Sequence, residues 1–262
     1  MLNALVRSVA FWTPAWPSWA LAAPALRDQA PPTPMPPRRA APTLLGATPR
    51  RRAPDAVLMA LQVAEDACAA AALAPAELSS VFTSAHGDLA IVDALCRTLA
   101  QDPLLLSPMR FHHSVHNAAS GYWAIGCGSR QASTAVAAGA RSFAAGLLEA
   151  MTQCAADLRP VLLVGCDTDA VGPLRSVNTS RGLLAVALVL VPPERTGRAL
   201  TARLLPCPAP APALRSAAAR TLQSNAMGDA LPLFEALAEP AATSLALPLS
   251  ATLSLALDLA AA

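Results

Sequence analysis

Lysine is absent from this chain of 262 residues, and all nineteen cationic side chains are arginine. Beside abundant alanine and proline, that pattern reflects codon bias of a GC-rich genome more than a functional choice. Charge is scarce as well: 14% of residues are charged and the net charge is +2, too weak a field to draw nucleic acid. No apolar run reaches the 18 residues of a membrane span; the longest candidate, Leu183 to Val191, is half that length. The six cysteines (68, 96, 127, 154, 166, 207) show no CxxC spacing, which argues for buried thiols of a cytoplasmic protein over a disulfide framework or zinc site. No GxSxG elbow occurs, and no histidine follows His116. What is plentiful is apolar surface. Hydrophobic residues make up 54% of the chain, which without a membrane span implies an unusually large buried area such as an obligate dimer face.

Arg7 and the tripeptide Ala20-Leu21-Ala22 raise the possibility of a cleaved export signal. Pro14, Pro17 and the bulky Trp12, Trp16 and Trp19 oppose it, so Leu5 to Trp12 reads as a first strand entering a Pro-rich turn. Residues 24–54, rich in Pro, Ala and Arg, read as a loop or extended segment. Strands are then expected at Leu78–Ala85, Gln131–Ala138, Pro160–Gly165, Leu183–Val191 and Ala199–Leu205. Helices are expected at Asp55–Ala72, Leu89–Ala100 and Ser142–Ala156. This alternation predicts an α/β layered domain over 1–205. Residues 206–262 read as a Pro/Ala linker with a reduced segment: one helix over Leu222–Ala238 and one strand within Leu245–Leu259.

Three constellations carry potential chemistry. His112 and His116 stand at the spacing that places two imidazoles on one helical face, but no neighbouring carboxylate completes a zinc site, so a structural cluster and no metal is expected. Cys127 and Cys166 sit beside glycines at turns, yet no base in the sequence is at hand to lower either thiol. Asp167 and Asp169 follow a strand and read as loop-capping groups before a metal pair.

The segment Ser114-Val115-His116-Asn117-Ala118-Ala119-Ser120-Gly121-Tyr122-Trp123 resembles β-ketoacyl synthases of the thiolase superfamily. The resemblance is closest to the short ketosynthase-like proteins of aryl polyene and xanthomonadin-type pigment clusters. Ser84-Ala85-His86-Gly87-Asp88, Gly128, Arg130, Ser133, Val161 to Gly165 and Asn225 to Ala238 extend it over roughly residues 3–238. The resemblance implies an α/β thiolase-like layered fold, its first half complete and its second half reduced. Aligned from Asn117 and Gly121 to Gly165, the family's nucleophilic cysteine falls on Ala140, within Gly139-Ala140-Arg141-Ser142, and the two histidines of the family's second half have no counterpart.

A methyl group forms no thioester, so the resemblance implies a pseudo-ketosynthase without cofactor: a chain length factor that works beside a catalytic ketosynthase subunit and meets acyl carrier protein through that complex. Gln131 to Ala138 would pair edge to edge with the partner. Met109, Phe111, His112, His116, Asn117, Tyr122, Trp123, Ser133 and Thr134 would lie at the interface or the acyl tunnel, with core packing as the competing assignment for Tyr122 and Trp123. The alternative is an independent thiolase-fold acyltransferase that uses Cys127 or Cys166.

Overall fold

The structure, a computed structural model, describes residues 1–29 and 39–262. Eight strands form one mixed sheet in the order β3-β2-β4-β5-β1-β6-β8-β7. The strands are β1 (Leu2–Trp12), β2 (Ser79–Thr83), β3 (Ser133–Val136), β4 (Val161–Asp167), β5 (Leu184–Val191), β6 (Arg198–Leu205), β7 (Thr243–Pro248) and β8 (Ser254–Leu259). β2 pairs in parallel with β3 and β4, and the remaining pairings are antiparallel.

All eight residues of β5 are buried, as befits a strand covered on both faces. Leu184, Val186, Leu188 and Leu190 enter one core; Ala185, Ala187, Val189 and Val191 enter the other. This period-two division sets the layers. The first core holds α7 (Ser142–Asp157), α1 (Trp19–Leu26) and α9 (Leu231–Ala238), and the second holds the alanine-rich α3 (Asp55–Ala71) and Trp123 of α6 (Ala118–Cys127). Small Ala185 and Ala187 face the long run of alanines in α3, of which Ala60, Ala64 and Ala67 are fully buried, so helix and sheet approach closely. α3 is nearly submerged for this reason.

α7 approaches β2 by a different device. A Cβ placed on Gly146 would stand 2.9 Å from the Cβ and Cγ2 of Thr83 and 3.3 Å from Leu163. Thr83 cannot yield, because its hydroxyl donates to Ser142 O at 2.7 Å. Gly146→Ala is therefore expected to cost about 1–3 kcal/mol by overpacking, despite the better helix propensity of alanine. Urea unfolding of the purified variant measures it.

The structure corrects three readings of the sequence. The Pro/Arg-rich stretch is partly helical: α1 runs to Leu26, and α2 (Ala47–Arg52) forms around Pro49. Proline is tolerated there because the first-turn N–H groups of a helix have no intrahelical partner. The prolines between 31 and 37 lie outside the described residues. Second, the single helix expected over 222–238 is broken into α8 (Ala217–Leu222) and α9. Between them Asn225 folds the chain into a turn, its Nδ2 donating to Asp167 O, Arg181 O and Gly182 O at 2.9–3.1 Å and its Oδ1 accepting from Met227 N. Third, residues 243–259 make a hairpin, β7 and β8, where one strand was expected. It extends the sheet beyond β6, and Arg198 seals the junction by donating to the carbonyls of Ala236, Glu239, Ala241 and Ala260.

Candidate functional site: a strand-to-helix elbow and exposed apolar side chains

Among the described residues β3 is an edge strand, hydrogen-bonded only to β2, and it leads through a single 3-10 turn, Gly139–Arg141, into α7. Gly139 takes φ +57°, a left-handed value suited to glycine, and Ala140 follows it, exposed at the crest of the turn. Ser142 is fully buried and occupied: its Oγ accepts from Ala138 N (2.9 Å) and donates to Gly139 O (2.7 Å). The hydroxyl pins the turn and is closed off from solvent.

Sequence reasoning missed the group behind this elbow. Asp229 Oδ2 accepts from Ala144 N at 3.1 Å in the first turn of α7, while its Oδ1 is sealed from solvent with no partner. Burial pushes this carboxyl up to about 7, against the pull of the Ala144 and Phe143 N–H groups and with a further push from Asp167. Only the Gly228-Asp229 pair within 225–238 signalled it, and nothing in the sequence placed that pair against α7. The folded chain keeps this proton where the unfolded chain has lost it, so Asp229 lowers stability as pH rises from about 4 to about 7. Asp229→Asn is expected to match the parent protein near pH 4 and to exceed it by about 4 kcal/mol near pH 8, read from paired denaturant curves.

From α4 (Leu89–Gln101) to α6 the chain leaves many apolar side chains uncovered. Twelve large hydrophobic residues are exposed among the described residues, and seven of them fall between Leu99 and Ile125, so the exposure is concentrated. Leu104 (92% exposed), Leu105, Met109, Phe111 (64%), Val115 and Ile125 project from the 3-10 turn after α4, from α5 (Pro108–His113), from the turn that follows and from α6. His112 and Asn117 are exposed beside them, as is Ser133 on β3; Ser133 Oγ accepts from Ser80 Oγ and Thr134 Oγ1 from Gln153 Nε2. Trp123 instead turns inward and is 1% exposed within the α3 core, so core packing describes it.

The histidines do not share one helical face. α5 ends at His113, and His116 lies in the turn before α6. His113 Nε2 and the Tyr122 hydroxyl share a 2.7 Å hydrogen bond, with His112 packed against both rings. Burial holds His113 below the usual imidazole range, helped by His112, and raises Tyr122. His116 Nε2 donates to Ser84 O at 2.9 Å. Asp167 is fully buried and accepts from Ser84 Oγ (2.7 Å) and Ala85 N (2.9 Å); burial pushes it upward against those donors and against His86 and His116. Asp169 accepts from Gly182 N. Both aspartates thus fasten loops.

His113, His116, Ser84 and Cys166 surround an inner space of about 30 Å³. Burial raises the thiol of Cys166, and also that of Cys127; Cys68 is pushed up to about 12. None of these three is activated as a thiolate.

With this geometry in hand, comparisons with known proteins are direct. No curated protein matches the sequence. The structure is similar to a chain in the complex of the ketosynthase ApeO with its chain length factor ApeC from Xenorhabdus doucetiae, at TM-score 0.72 and 21% identity over 98% of this chain and 100% of that one. It is similar to the ishigamide ketosynthase/chain length factor at TM-score 0.68 and 15% identity over 100% and 99%. It also resembles the type II polyketide ketosynthase AntDE, solved with its acyl-carrier protein AntF, at TM-score 0.73 and 11% identity over 100% and 99%. The fold is thus thiolase-like and layered. The family model described as beta-ketoacyl synthase, N-terminal domain, matches residues 16–249. The chain belongs to the beta-ketoacyl synthase N-terminal domain family.

Proposed function

We propose that this chain is a catalytically silent ketosynthase-like subunit, a chain length factor that pairs with an active ketosynthase in the cytoplasm to elongate carrier-protein-bound polyene or fatty acyl chains, in an aryl polyene type of pathway. The observation that carries the reading is Ala140, a methyl group at the exposed strand-to-helix turn where the family places its nucleophile. Covalent catalysis has no atom to begin from there. The partner's edge strand would pair with β3, and the apolar residues from Leu104 to Ile125 would be covered by it. The small hollow behind His116 supports a terminating role: a growing chain that crosses the interface would find little room there, so Met109, Phe111 and His112 would set its limit. In this account residues 1–205 carry the interface, and residues 206–262 brace it from behind.

Co-expression with a ketosynthase from the same genome tests the proposal. The expected result is a one-to-one complex on size exclusion, with elongation only when both chains are present. An isolated ketosynthase that elongates equally well, or no complex at all, contradicts it.

A further inference from the structure

Away from the elbow, a cleft of about 540 Å³ opens between the N-terminal ends of α3 and α4. Arg39, Arg52, Arg110, Asp55, Asp88 and Asp169 line it. The charges balance on paper, but the bonds do not. Asp55 takes Arg39 Nε at 2.7 Å, and Arg39 also donates to Ala53 O. Asp88 is spent on capping α4 through Ile91 N (3.0 Å), and Asp169 on Gly182 N (2.8 Å). Arg52 and Arg110 are left facing the cleft with no hydrogen bond or ion pair for their guanidinium groups among the described residues. α3, seventeen residues long, begins at the same wall behind Pro54, with no side chain capping its first N–H groups.

Two unmatched guanidinium forks and an uncapped helix start converging on one hollow form an environment for a dianion with several acceptor oxygens. A bare ion would leave most of the volume empty, whereas cavities of this size suit small organic ligands. We propose that this cleft binds a phosphorylated small molecule, its phosphate held by Arg52 and Arg110. Arg110 stands on α5 between the exposed Met109 and Phe111, so the cleft borders the apolar face, and the site is tested on this chain alone.

Titration calorimetry on the full chain, with inorganic phosphate and with coenzyme A as probes against sodium chloride of matched ionic strength, tests the site. Saturable binding is expected, tighter for the ester. Arg52→Ala/Arg110→Ala should weaken it at least tenfold, while Arg159→Ala, an exposed arginine elsewhere, leaves it unchanged. Both altered arginines are exposed, so the double variant keeps its thermal transition. Equal affinity for the two probes would assign the site to the free ion, with the phosphate contact upheld. No saturation by either probe beyond chloride, or a double variant that binds like Arg159→Ala, overturns the proposal.

Discussion

Leu105→Glu together with Phe111→Asp is expected to abolish association with the ketosynthase partner while the isolated chain keeps its thermal stability. Phe111 is 64% and Leu105 71% exposed, so neither side chain contributes much to the core of this chain. Exposed substitutions of this kind change folding by about 0.5 kcal/mol or less. In an interface the same side chains lose their water, and a carboxylate put in their place must be desolvated without a partner. Central apolar anchors account for most of the energy of such contacts, so the affinity should fall by about a hundredfold or more. Size exclusion and calorimetry on the pair read this out, with the melting curve of the variant alone as the control for folding. An unchanged complex would place the interface elsewhere.

The second large effect concerns the late segment of the chain. Phe234 of α9 is fully buried, and its ring lies 5.9 Å from Phe11 of β1, 6.0 Å from Trp19 of α1 and 5.9 Å from Phe143 of α7. One side chain from the late segment thus joins three earlier elements. Phe234→Ala removes that hub and leaves a cavity among groups fixed by the sheet, at a cost of about 3–5 kcal/mol. For a chain of this length that lowers the melting temperature by roughly 10 °C. A drop of only a degree or two would mean that the late segment is an appendage and does not brace the sheet.

Strands β1 to β6 and helices α3, α4 and α7 were legible because each carries its own local signal: β-branched runs between turn residues, or apolar residues at helical spacing. The late segment resisted the same treatment. Residues 222–238 contain the turn formers Ser224, Asn225 and Gly228, with Pro232 behind them, and the break at 223–230 is fixed by Asn225 reaching carbonyls at 167, 181 and 182, contacts that periodicity cannot foresee. The hairpin was missed for a related reason, since Leu249 to Leu253 lacks the Asn-Gly or Asp-Gly signature of a tight turn. At the candidate site, Met109 and Phe111 were picked out by resemblance, and the structure leaves both uncovered. Trp123 sits in the same stretch and turns the other way, because an apolar residue on an amphipathic helix satisfies a core and a partner equally well. Leu104, Leu105 and Ile125 were overlooked, as exposure is a property of the packed fold. Asp229 was invisible because its environment is built by α7, far from it in sequence.

Catalytic silence is the centre of this account, and intact-protein mass spectrometry tests it most directly. The purified complex would be supplied with an acyl-loaded carrier protein and both subunits weighed. The account predicts an acyl adduct on the ketosynthase partner and an unmodified mass for this chain. An acyl group on this chain, removed by Cys127→Ser or Cys166→Ser, would contradict it and make the chain an acyltransferase in its own right.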